Sequence, residues 1–144
     1  MTFRVRKVKA TPDHIQKLID IDELVFGASA PRLSRTDVLK GDWWFVYNSR
    51  QIIAYAGMVP STYGPHVGYF KRVGVLEGFR GHRLQVRLLK LCERRARQLG
   101  YTAMITDTTE NPASGNSMIR AGYKLFTPDF PWAFPNSLYW RKDL

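Results

Sequence analysis

Between residues 73 and 98 the chain carries groups suited to holding an anion. Val73-Gly74-Val75 has the character of a strand, Glu77-Gly78-Phe79-Arg80-Gly81 that of a tight turn, and a helical pattern follows from about His82. A helix that starts from such a turn presents backbone N–H groups with no partner inside the helix, and its dipole favours negative charge, so a phosphate fits there. Arg80 adds a formal positive charge. The plan is shared by many strand-turn-helix units, in which Arg80 would be a surface arginine and His82 an exposed helix-start residue. Two further side chains could move protons: the phenol of Tyr69 and the carboxylate of Asp107, since no acid occurs between His66 and Val75. Their plain readings are a ring packed in a sheet and a carboxylate at a strand end. Asn111 before Pro112 reads as a helix N-cap pair, with an amide that could also position a substrate.

The elements that must position these residues follow from periodicity. Residues 3 to 8 alternate apolar and basic, as an opening strand does. Thr11-Pro12 starts a helix over about 12 to 26, a small-residue break follows at 27 to 31, and a shorter helix spans about 33 to 40. Strand-like runs at 43 to 47 and 51 to 57 predict a hairpin, and a longer strand covers about 66 to 76. The helix from about 82 to 98 carries Leu84, Leu88, Leu91, Cys92 and Ala96 on one face, with Gly100 past its end. A strand at 102 to 107, a helix at 112 to 121 and closing strands at 123 to 126 and 138 to 141 complete an α/β order.

Composition bounds the rest. A chain of 144 residues with 44% hydrophobic content fits one domain, taken as residues 1 to 144, around a single core. No run approaches the ~20 apolar residues of a membrane span, and no apolar stretch follows the basic N-terminus, so a soluble, cytoplasmic protein without a membrane partner is expected. Cys92 is the only cysteine, and His14, His66 and His82 stand at no metal-ligand spacing, so neither an internal disulfide nor a metal site is expected. The net charge of +10 favours an anionic partner without choosing among nucleotide, nucleic acid and acidic protein. Arg83, Arg87, Lys90, Arg94 and Arg97 form one helical stripe, usually a solvated face. No aromatics are interleaved with it as stacking platforms, which disfavours nucleic acid. Asp20, Asp22 and Glu23 read as a solvent-exposed acidic group that could also attract an amine. Phe130, Pro131, Trp132, Phe134 and Pro135 form an aromatic loop that either caps the core or walls a pocket.

The segment from Val73 to Gln85 resembles the central motif of the GNAT N-acetyltransferases, in which an Arg-Gly loop holds the coenzyme A pyrophosphate. The resemblance continues through Asn111-Pro112-Ala113-Ser114 and Gly122-Tyr123, the family's second motif, and ends in Tyr139-Trp140-Arg141-Lys142. It implies a single-domain fold with a mixed, mostly antiparallel sheet of six or seven strands and about four helices on both faces, splayed between strands 4 and 5. It further implies acetyl-coenzyme A as cosubstrate, no metal, and direct attack by a primary amine of a small molecule or protein. The cofactor contacts carried over are Val73, Gly74, Val75, Arg80, Gly81, His82, Arg83, Leu84, Gln85, Val86, Asn111 and Ser114, with Gly74 read as a bulge. Asn111, Tyr69 and Asp107 are the catalytic candidates. Arg83 and Gln85 replace two loop glycines of the family, and Met118 replaces a tyrosine that protonates the leaving thiolate, leaving that proton to water, Ser117, Tyr123 or no acid. These departures keep open a non-catalytic binding protein on the same fold, the charge keeps open a nucleic-acid-binding module, and the oligomeric state stays open, a homodimer included.

Overall fold

A computed structural model describes residues 2–144. The strands are β1 (Phe3–Lys7), β2 (Asp42–Asn48), β3 (Gln51–Pro60), β4 (Val67–Val75), β5 (Ala103–Thr109), β6 (Lys124–Phe126) and β7 (Ser137–Asp143), and the helices are α1 (Pro12–Phe26), α2 (Arg35–Lys40), α3 (Leu84–Gln98) and α4 (Pro112–Arg120). The strands form one seven-stranded sheet in the order β1-β2-β3-β4-β5-β7-β6. Neighbours run antiparallel except β4 and β5, which are parallel and paired only from Val67↔Ala103 to Tyr69↔Ile105. Past those rungs the side chain of Thr106 replaces the backbone, its Oγ1 donating to the Phe70 carbonyl at 2.9 Å. Beyond that bond the two strands part, as the expected splay requires. Among the described residues no helix is long and apolar enough to cross a membrane.

Both faces of the sheet are covered, which explains the nearly continuous apolar run of β2. Trp43 and Phe45 join Ile15, Leu18 and Ile21 of α1 and Val38 of α2. Trp44 and Val46 point the other way, into a core with Leu88, Leu89 and Cys92 of α3 and Met118 of α4. Three helices start on a side-chain cap. Thr11 accepts from the His14 amide, Ser34 and Asp37 close a reciprocal capping box, and Asn111 accepts from the Ser114 amide. Helix α3 has no such cap.

Several expectations need correction. Helix α3 starts at Leu84 and not near residue 82, because Gly81 (φ 87°) and Arg83 (φ 57°) take left-handed backbone that a helix cannot contain. Its buried face includes Leu89 and Glu93, while Leu91 is only half-buried. Asp20 and Glu23 are exposed, but Asp22 is buried. Arg72 Nη1 donates to both Asp22 oxygens, at 3.0 and 3.2 Å, and the Tyr55 hydroxyl donates to Oδ1, so the buried charge is paired. Gly74 is not a bulge. It pairs with Tyr55 in register, and a Cβ there would overlap the Tyr55 ring, so the glycine makes room for that phenol. The extra residue of β4 is Lys71, since Phe70 pairs with Met58 and Arg72 with Gly57.

Three phenols donate to carboxylates: Tyr55 to Asp22, Tyr69 to Asp107 and Tyr123 to Glu93. Burial first, and the adjacent carboxylate second, hold each phenol well above its ordinary value near 10. In the unfolded chain these groups ionise around pH 10, whereas in the folded chain they do not. Their contribution is therefore complete below about pH 10 and declines as pH rises above it, by up to ~1.4 kcal/mol per pH unit for each phenol. Urea midpoints measured between pH 8 and 11 should fall in the alkaline limb, less steeply for Tyr123→Phe than for wild type. Equal slopes would remove Tyr123 from this account.

Candidate functional site

Two depressions meet where β4 and β5 part. A groove of about 570 Å³ runs beside the start of α3, and a cleft of about 660 Å³ opens on the far side of the split. Val73, Gln85, Asn111 and Ser114 line both, so the two adjoin along the split.

The groove gathers Val73, Gly74, Val75, the loop from Arg80 to Val86, Asn111 and Ser114, all expected from the sequence. Leu76 N donates to Ile53 O at 2.9 Å. By alternation along the strand, Gly74 and Arg72 direct their backbone groups to β3, and Val73 and Val75 direct theirs into the opening. The first amides of α3 lack a side-chain cap and lie at the groove, with Arg80, Arg83 and Arg120 around it. Together these features can hold an extended anionic molecule, phosphates at the helix start and a hydrogen-bonding arm along β4.

The two replaced glycines fit this geometry. Arg83 holds the left-handed conformation a glycine would adopt, so the turn into α3 is retained with a side chain exposed outside it. Gln85 turns its amide across the split to Ser114 Oγ at 3.3 Å, linking α3 to α4. His82 is exposed, and its ring meets Phe3 edge-on with centroids 5.2 Å apart. Among the described residues, no ion pair engages Arg83, Arg87, Lys90, Arg94 or Arg97, and all five are exposed.

In the cleft, Tyr69 and Asp107 come together. Asp107 Oδ2 accepts from the Tyr69 hydroxyl and from Trp132 Nε1, the latter at 2.8 Å. Burial and this carboxylate keep the Tyr69 phenol protonated, so Tyr69 is a donor and Asp107 the group able to accept a proton. Trp132 was legible only as part of an aromatic loop. It stands edge-on to Tyr139 at 4.5 Å, and its bond to Asp107 makes the loop a wall of the cleft. Asn111 Oδ1 is engaged as the cap of α4, at 3.1 Å from the Ser114 amide, while its Nδ2 has no partner among the described residues. Met118 is buried in the core and forms part of the cleft lining. Tyr123 is buried against Glu93 and lines neither depression, which removes it as an acid for a leaving group. Among the described residues no group of three His, Cys, Asp or Glu side chains could hold a metal ion.

Residues 15–123 match the acetyltransferase (GNAT) family. No curated protein matches the chain. Solved structures share the fold. The GNAT domain of S. lividans PAT is 18% identical, with a TM-score of 0.75 over 100% of this chain and 92% of that one. An acetyltransferase from Streptococcus agalactiae is 17% identical, with a TM-score of 0.75 over 99% and 98% of the two chains. A Bacillus subtilis acetyltransferase in complex with CoA is 13% identical, with a TM-score of 0.74 over 99% of both.

The left-handed turn at Arg83 is open to a direct test. Arg83→Gly should leave stability within about 1 kcal/mol of wild type, because relief of backbone strain offsets the greater freedom of the unfolded chain. Arg83→Val should cost more than about 1 kcal/mol, since a β-branched residue tolerates this conformation least. Equal denaturant midpoints for the two variants would show that the backbone there is unconstrained.

Proposed function

The chain belongs to the acetyltransferase (GNAT) family, and from that premise we propose that it binds acetyl-coenzyme A in the groove and transfers the acetyl group to a primary amine entering from the cleft. The observation that carries this reading is the pair of adjoining depressions that reach from the uncapped start of α3, past the free backbone of Val73 and Val75, to Asp107.

The bound thioester supplies an activated acetyl carbon. The amides of the turn from Arg80 to Val86 receive the diphosphate, with Arg80 adding charge. Val73 and Val75 hydrogen-bond the pantetheine arm, and a β4 amide stabilises negative charge on the thioester oxygen. Asp107 takes the proton of the incoming ammonium, directly or through water, while Tyr69 and Trp132 hold its carboxylate in place. The neutral amine then forms the new C–N bond as the C–S bond breaks, the electron pair leaves on the thiolate, and the nitrogen releases its extra proton, through water, to that sulfur or to solvent, which leaves the neutral amide. Ser117 and water are the remaining donors to that sulfur, or the thiolate departs unprotonated. Asn111, through its Nδ2, orients the thioester or a water.

Calorimetry with coenzyme A should show stabilisation of ~2.7 kcal/mol at a hundredfold excess over the dissociation constant, reproduced by desulfo-coenzyme A and not by adenosine. Free-thiol release with a panel of amines should rise with pH as the neutral amine accumulates. Asp107→Asn should lower turnover ~100-fold or more at neutral pH and recover part of the loss at alkaline pH. Asn111→Ala should lower turnover with a smaller loss of stability, whereas Met118→Ala should cost ~2–5 kcal/mol of stability. Binding of coenzyme A without transfer to any amine or protein would instead establish a binding protein on this fold.

A further inference from the structure

The charges lining the cleft are unequal. Arg32, Lys71 and Arg72 line it, and among the described residues Asp107 is the only carboxylate that does. Two of the cations are already engaged. Arg72 donates to both Asp22 oxygens and, at 2.7 Å, to the Pro31 carbonyl, and Arg32 pairs with Glu23 at 2.9 Å. Lys71 has only Asp37, at 3.9 Å, and its side chain is 30% exposed. Its position is a consequence of the β4 irregularity. With Lys71 as the extra residue between the Met58↔Phe70 and Gly57↔Arg72 pairs, two successive cations reach the face covered by α1 and α2, where their partners Asp22 and Asp37 lie.

Lys71 and Asp107 both address Tyr69. Asp107 accepts from its hydroxyl, and Lys71 Nζ lies 6.0 Å from its ring centre. An acid and a base are therefore within reach of one molecule of amino-acid size. Three aromatic side chains join the otherwise mixed walls, Phe26 from α1 and Trp132 and Phe134 from the loop before β7, with Phe134 59% exposed. A polycationic amine entering this cleft finds one lining carboxylate, Asp107, beside three cationic side chains. A plain monoamine satisfies Asp107 and leaves Lys71 with only its long contact to Asp37, at 3.9 Å.

Resting on the acyltransfer reading above, we propose that the acceptor is an amino carboxylate with an apolar body, whose ammonium is received at Asp107 and whose carboxylate pairs with Lys71. The aromatic walls take the body by burial, and the paired charges fix which end faces the thioester.

Matched acceptors test this: phenylalanine against phenethylamine, and leucine against 3-methylbutylamine, with spermidine as the polycation. The readout is the ratio of kcat/KM values within each pair, compared between wild type and Lys71→Met, so that differences in amine basicity cancel. Lys71→Met keeps the aliphatic stem over Tyr69, Lys71→Ala removes it, and Lys90→Met on the solvent face of α3 is the control. The ratio should fall about tenfold or more in both Lys71 variants and stay unchanged in the control, and spermidine should be the poorest acceptor. Coenzyme A affinity, measured by calorimetry, should be retained in all. A ratio that Lys71→Met leaves unchanged, or a wild-type preference for spermidine, overturns the inference while leaving acyltransfer intact. Coenzyme A binding with no transfer to any acceptor overturns both.

Discussion

The parting of β4 and β5 is the constraint on which the rest of the molecule depends. Three parallel rungs hold the strands together, and the Thr106 hydroxyl supplies one more link to the Phe70 carbonyl. Past it, β4 stays paired with β3 from Arg72 to Val75 but has no strand on its other side, so the outward backbone groups of Val73 and Val75 need a partner other than the sheet. A closed sheet would have consumed them. The split also sets the places of α3 and α4, which flank it and are tied across it by Gln85 and Ser114.

Backbone strain collects at the same place. Among the described residues four other than glycine have positive φ, and two of them lie at the starts of the helices flanking the split: Arg83 immediately before α3, and Glu110 before the Asn111 cap of α4. Such conformations persist only where the surroundings over-determine them. Here Glu110 turns the chain directly off the end of β5, and Arg83 closes the longer turn into α3. The amides of α3 are thereby delivered to the groove, and Asn111 is delivered to the junction of groove and cleft.

Buried charge ties the walls to the sheet. Asp22 joins α1 to β4 through Arg72 and to β3 through Tyr55, and Glu93 joins α3 to β7 through Lys142 at 2.8 Å. Both carboxylates are closed off by their partners, and removing one partner from such a set leaves an uncompensated buried charge. Asp107 shares their phenol bond but differs in setting. Both of its donors converge on Oδ2 and it borders the open cleft, so the arrangement that is structural in the other two cases is here compatible with proton transfer.

The amino-acid sequence by itself determined most of the elements and the residues of the groove. Alternation in β1, the caps at Thr11 and Asn111 and the apolar face of α3 are local signals, because each depends on neighbours within a turn or a rung. The turn at Arg80-Gly81 and the segment after it were readable for the same reason. The tertiary structure decided what depends on contacts far along the chain. Asp22 looked solvated because its partners Arg72 and Tyr55 lie 50 and 33 residues away. Gly74 looked like a bulge because nothing local shows that the Tyr55 ring fills the place of its side chain, and the true irregularity at Lys71 appears only in the pairing with β3. Tyr69 and Asp107 were separate candidates until the parallel pairing of their strands brought them into one hydrogen bond, and Trp132 entered only when its loop folded back onto them. Periodicity reports which face of an element is apolar; which polar groups meet across the sheet is fixed by register, and register is settled only by packing the whole chain.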